Sequence, residues 1–119
     1  MSTLLLVHAH PDDEAISTGG TMMKAHEVGH RVVLVTATRG EVGEIYNMDE
    51  RSTRPRLGEV RTKELENASR ILGVNRGEFL GYRDSGMAGT VDNENPESFH
   101  QAPLGEAAAR LAVILRLMW

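Results

Sequence analysis

Leu4-Leu5-Leu6-Val7 constrains the fold more than any other segment: four apolar residues without a polar break, almost at the start of the chain. A run this short and this unbroken suits a strand buried on both faces, as in a parallel sheet, rather than a half-solvated strand with alternating polarity. Residues Ala15 to Val28 then read as a helix. Asp12-Asp13-Glu14 stands at its start, where carboxylates can cap free N–H groups and oppose the helix dipole. Gly29 is placed to end it. Arg31-Val32-Val33-Leu34-Val35-Thr36 follows, strongly β-branched and readable as a second strand. Strand, helix and strand in this order imply a right-handed crossover between parallel strands.

The rest of the chain repeats the alternation. Residues Arg39 to Pro55 form a polar, irregular loop, and a helix is predicted over Arg56 to Leu72. Leu57, Val60, Leu65, Ala68, Ile71 and Leu72 lie on or near one face of it, and Gly73 is its stop. Phe79-Leu80-Gly81-Tyr82 is a weaker third strand. Arg83 to Gln101 is a long loop, of a length that is commonly functional. Pro103 opens a last helix in which Leu104, Ala108, Leu111, Ala112 and Leu115 recur at helical spacing. The 119 residues therefore read as one α/β domain, a doubly wound three-layer α/β/α arrangement on a mainly parallel sheet. A last amphipathic helix in such a fold ordinarily leads to another strand, and three strands leave edges unpaired. The sequence thus reads as the N-terminal part of a larger domain. Apolar surface near Leu4, Leu6, Leu111 and Leu115 would then favour a homo-oligomer or low stability.

Composition narrows the chemistry. A net charge of −4 argues against nucleic acid and against an anionic membrane surface as partners. There is no cysteine, so any metal must be held by His, Asp, Glu or water. No apolar run approaches a membrane span, and no basic stretch leads into an apolar one at the N-terminus, so the expected setting is cytoplasmic.

In an open parallel sheet, ligands bind beyond the carboxyl ends of the strands. His8 to Asp13, Arg39 to Glu44 and Arg83 to Gly89 all follow strands and should meet at one edge. Within the first, His10 and Asp13 can each give one ligand atom to a divalent cation. Imidazole with carboxylate suits zinc or iron(II) and is compatible with manganese. Asp12 is then free to serve as general base to a water. Read without that context the three carboxylates are more often a helix cap, and the flanking His10 and Pro11 and the place after a strand turn the reading toward a site.

Val7-His8-Ala9-His10-Pro11-Asp12-Asp13-Glu14 resembles the signature of the LmbE-like, or PIG-L, N-acetylglucosaminyl deacetylases. Gly29-His30-Arg31-Val32, Thr36 to Glu41 and Arg61-Thr62-Lys63-Glu64-Leu65 are similar to further segments of the family. Gly81 to Gly89, with its Arg-Asp-Ser-Gly-Met run, is closest to the mycothiol-pathway branch. The resemblance implies a Rossmann-like fold, a zinc ion, and hydrolysis of an N-acetyl amide on a small-molecule N-acetylglucosamine conjugate. It implies His10 and Asp13 as metal ligands, Asp12 as base, and Arg61 and Asp84 as contacts to sugar hydroxyls. Taken as residues alone, Arg61 is equally a solvated helix charge and Asp84 a turn former. The family's third zinc ligand is a histidine in a His-Pro-Asp-His-like motif that does not occur before Trp119, and His100 is not expected to replace it. Two neighbouring readings stay open: an amidase of a thiol conjugate bearing the same sugar, and a sugar-binding fragment without catalysis.

His26-Glu27-Val28-Gly29-His30 also fits the His-Glu-x-x-His pattern of zinc proteases. That pattern works only if one helix carries both histidines, and Gly29 before a β-branched run says the helix ends first.

Overall fold

The computed structural model describes residues 1–118; Trp119, with which the expected last helix closes, lies outside the described residues. Three strands, β1 (Thr3–His8), β2 (Arg31–Thr38) and β3 (Arg76–Tyr82), form one sheet in the order β1-β2-β3, parallel throughout. Helices α1 (Asp13–Glu27), α2 (Glu50–Thr53), α3 (Leu57–Leu72), α4 (Val91–Glu94) and α5 (Leu104–Leu117) fill the connections.

Strand β2 is the centre of the fold. Val32, Val33, Leu34, Val35, Thr36, Ala37 and Thr38 are all at most 1% exposed. Its side chains alternate between the two faces. Val35 and Ala37 pack with Leu80, Tyr82 and Ile114 beneath α5, while Leu34 and Thr36 line a hollow with Leu65 beneath α3. With α1 packed against α3, this gives helix, sheet and helix layers, the α/β/α arrangement the alternation of the sequence predicts.

Several local expectations change. Strand β1 is no less apolar than β2 but lies at the edge of this sheet. Leu4, Leu5 and Leu6 are half-buried and Val7 is 43% exposed, so both-face burial belongs to β2. The loop predicted over Arg39 to Pro55 contains α2, capped by the Asp49 carboxylate accepting from Ser52 N, and a 3-10 turn at Arg54–Arg56 follows. The long loop after β3 contains α4 and is tied back by Arg83 N donating to Glu97 O and Phe99 N donating to Arg83 O, each at 3.0 Å. In α3, Ile71 points outward while Leu57 and Leu65 are buried. In α5, Ala107, Leu111 and Ile114 pack against the sheet, with Met118 just past its end, so the packed stripe is rotated from the one read from Leu104 and Leu115. That stripe follows the contact with Leu80 and Tyr82, which the spacing of α5 alone does not encode.

Candidate active site

The three loops meet at the carboxyl edge as topology requires. The β1–β2 pairing runs on past His8, because Thr38 N and Thr38 Oγ1 both donate to Ala9 O at 3.0 Å. This fixes the start of the His10–Asp13 turn against the start of the Arg39–Glu44 loop.

The turn is built from the inside. Pro11 is buried. Asp12 has φ 132°, and among the described residues it is the one non-glycine with positive φ. Such a conformation costs on the order of 1–3 kcal/mol and persists where its surroundings over-determine it. Here Asp12 N donates to Glu14 Oε2 at 2.9 Å, and Glu14 is 1% exposed. Asp12 O accepts from Ala15 N and Ile16 N, and Pro11 O accepts from Arg61. The acidic cluster does not cap the helix through its side chains as expected. Asp12, at the cap position, makes no side-chain capping bond. Asp13 Oδ2 instead accepts from His10 N at 3.0 Å, so the carboxylates of Asp13 and Glu14 brace the turn before the helix.

Arg61 reaches in from α3 and joins two loops. It donates to Pro11 O and, at 3.4 Å, to Gly40 O, and it stands 3.5 Å from the Asp12 carboxylate. Gly40, at φ 72°, makes room for it: a Cβ there would lie 2.8 Å from the guanidinium carbon. Asp12 and Arg61 together wall two hollows of about 420 and 260 Å³, the larger closed by Glu44 to Met48.

His10 stands between two carboxylates. Its Nε2 is 3.1 Å from Asp84 Oδ1, and its Nδ1 is 3.6 Å from Asp13 Oδ2. Asp84 is 4% exposed. Its Oδ2 accepts from Val42 N at 3.2 Å and its Oδ1 from Gly86 N at 3.1 Å, so it is also the turn former that its Asp-Ser-Gly context suggests. Burial pushes the Asp84 carboxyl up, but the hydrogen bonds from His10, Gly86 N and Val42 N outweigh it and hold the group at about 2. The Asp84 hydrogen bond raises the His10 imidazole above its ordinary value, against burial. Partial burial raises the Asp12 carboxyl, with Asp13 adding and Arg61 opposing.

All five residues singled out from the sequence, His10, Asp12, Asp13, Arg61 and Asp84, are therefore in one place. The sequence alone does not single out Glu14 or Glu41 as site residues. Glu41 Oε1 accepts from both Asp84 N and Arg39 N at 3.2 Å and ties the second loop to the third. Its signal was its place in the polar stretch after β2. His100 stays in the long loop, its N donating to Ser85 Oγ. The His26–His30 pattern is broken: α1 ends at Glu27, Gly29 takes φ 86°, and His30 Nδ1 accepts from Ser2 N.

The donor set fits a divalent cation. A 3.6 Å gap between Nδ1 and a carboxylate oxygen is too long for a hydrogen bond and of the order of the spacing between two ligands of one ion. Among the described residues no group of three or more His, Asp or Glu side chains is arranged to hold a metal.

A parallel α/β sheet that brings a histidine, neighbouring carboxylates and an arginine to hollows at its carboxyl edge defines an α/β/α domain with its candidate site where such folds bind ligands. Residues 5–117 match the PIG-L family, described as GlcNAc-PI de-N-acetylase, and the chain belongs to that family. It is 52% identical, over 96% of its length, to the 1D-myo-inositol 2-acetamido-2-deoxy-alpha-D-glucopyranoside deacetylase of Acidothermus cellulolyticus, covering 42% of that protein. Among solved structures it resembles the N,N'-diacetylchitobiose deacetylase of Pyrococcus horikoshii, with a TM-score of 0.63 and 36% identity over 71% of this chain and 30% of that one. It also resembles the 4-carboxy-2-hydroxymuconate hydratase of Pseudomonas putida, with a TM-score of 0.67 and 26% identity over 98% of this chain and 43% of that one. The chain spans about two fifths of the length of the curated relatives it matches. Among the described residues no helix is long and apolar enough to cross a membrane.

Proposed function

We propose that this chain carries the metal-ligand pair and the general base of a hydrolase that removes the acetyl group from an N-acetylglucosamine unit in a small-molecule conjugate. The observation that carries the reading is the junction at the turn. His10 and Asp13 face one another at 3.6 Å while Asp12, next in sequence, opens onto two hollows. The naming of relatives as deacetylases of a glucosamine-inositol compound supports the substrate class.

In this reading His10 and Asp13 hold a zinc ion, with iron(II) as the other cation suited to the donors. When bound, such an ion makes water acidic near neutral pH and polarises an amide carbonyl. The residues supply the rest. Asp12 accepts the proton of the attacking water, and its raised carboxyl makes it a stronger base than an ordinary aspartate. Arg61 sets where that carboxylate lies, through Pro11 O and a 3.5 Å approach to Asp12. The contacts expected to sugar hydroxyls are Arg61 and Asp84, and the Asp84 carboxylate, 4% exposed, is turned to His10, Val42 N and Gly86 N. Arg61 is the better supported of the two, because it walls both hollows beside Asp12. A second reading, sugar binding without turnover, is favoured by the same two-ligand inventory.

The test is hydrolysis of the glucosamine-inositol acetamide with zinc supplied, comparing wild type with Asp12→Asn. Loss of general-base catalysis should lower turnover about 10²- to 10⁴-fold with bound zinc unchanged. Near-normal turnover in the variant would remove Asp12 from the mechanism. Saturable sugar binding without turnover in either protein would favour the second reading.

A further inference from the structure

We infer that Asp84 is a positioning residue for His10: its buried carboxylate holds the Nε2–H and so presents the Nδ1 lone pair to the space in front of Asp13. The inference rests on the metal reading above and goes beyond it, because it assigns the job of aiming the ligand to a residue 74 positions away.

An ionised carboxylate has no proton to give, so the imidazole nitrogen facing Asp84 Oδ1 at 3.1 Å must be the one that carries hydrogen. In the neutral ring the lone pair then sits on Nδ1. Nδ1 is the nitrogen 3.6 Å from Asp13 Oδ2, and Asp13 is itself anchored by accepting from His10 N. Both donors of the pair are thus fixed from behind, one by a buried carboxylate and one by a backbone N–H.

Asp84 is held more firmly than a substrate contact needs to be. Val42 N and Gly86 N each donate to one of its oxygens, and its own N–H goes to Glu41 Oε1. The residue before it is locked by the Arg83–Glu97 and Arg83–Phe99 backbone bonds, and Phe99 packs on Tyr82 at 5.4 Å between ring centroids. At 4% exposure the carboxylate lies behind the His10 ring, whose own side chain is 41% exposed. A partner so placed orients its histidine and raises its basicity as a ligand.

Two measurements test it. The first needs no substitution and no metal. In the chelator-treated chain, nitrogen-resolved NMR of the neutral His10 ring should show a proton on Nε2, hydrogen-bonded and slow to exchange. A proton on Nδ1, or an Nε2–H that exchanges freely, overturns the inference whatever the metal does. The second is affinity for zinc ion alone, in competition with a chelator. Asp84→Ala should weaken it about 10- to 100-fold, and Asp84→Asn less, because an amide oxygen can still accept from Nε2. Wild-type affinity in a folded Asp84→Ala chain, with His10→Ala losing zinc, contradicts the positioning role and leaves the metal reading standing. Retention of zinc by His10→Ala would contradict the metal reading itself.

Discussion

Helix α1 runs between two patterns that a metal could use, and they come to opposite ends. At its N-terminal end the chain arrives from β1 and turns through His10-Pro11-Asp12-Asp13, where the loops after β2 and β3 lie within reach. Asp84 and Arg61 close on the turn from two other parts of the sequence, and Glu41 ties the loop of Asp84 to the one after β2. At its C-terminal end stand His26, Glu27 and His30. There the helix stops at Glu27, His26 lies over Gly73, and His30 turns to the N-terminal backbone at Ser2. Both ends offer imidazole and carboxylate. The difference is that loops converge at the carboxyl edge of a parallel sheet, while the opposite edge receives only helix ends and strand starts.

The comparison can be broken at its glycines. Gly40 and Gly29 both hold positive φ, at 72° and 86°, but Gly40 also faces the Arg61 guanidinium whereas nothing lies within 4 Å of a Cβ at Gly29. Gly40→Ala should cost about 2–3 kcal/mol in urea unfolding, combining left-handed strain with displacement of Arg61 from Pro11 O. Gly29→Ala should cost about 1 kcal/mol, from strain alone. Equal costs would show that Arg61 does not clamp the loops.

A smaller effect sharpens the same contrast through pH. The Asp84 carboxyl, held at about 2 against an ordinary 3.8, contributes stability above 3.8 that is lost as pH falls through its folded value. His10, raised above 6.5, contributes stability below 6.5 that is lost as pH rises through its folded value. The pair is therefore worth most between 3.8 and 6.5. In chelator, Asp84→Asn should lower unfolding free energy in that window by at most about 2 kcal/mol, discounted because His10 is 41% exposed. The deficit should shrink on either side. A deficit independent of pH would mean that Asp84 acts only as a turn former.

Much of this was legible beforehand, for identifiable reasons. The α/β alternation announces the sheet, and the position of the His10 turn after the first strand announces the edge. Family resemblance points to Arg61 and Asp84, but not to the groups they touch. A contact between residues 10 and 84 leaves no local trace, and neither does the 1% exposure of Glu14. Strand β3 begins at Arg76, three residues before the expected Phe79, because Arg76-Gly77-Glu78 carry little β signal of their own and are recruited by pairing with Val33 to Val35. Leu4 to Val7 reads as a strand buried on both faces because apolarity records what a strand needs covered, not its rank in the sheet. The packed stripe of α5 was misplaced because its apolar residues surround much of the helix, so contact with Leu80 and Tyr82 selects the face.

On the proposed reading a metal-ligand pair stands at the N-terminal end of α1, His10 just before it and Asp13 at its first residue, and none stands at its C-terminal end. The direct measurement is zinc bound per chain after equilibration, by elemental analysis, in His10→Ala, in Asp13→Ala and in the double variant His26→Ala/His30→Ala. Each of the first two should lose most of the zinc held by the wild type, and the double variant should keep it. Undiminished zinc in both His10→Ala and Asp13→Ala, or its loss from the His26/His30 variant, would contradict it.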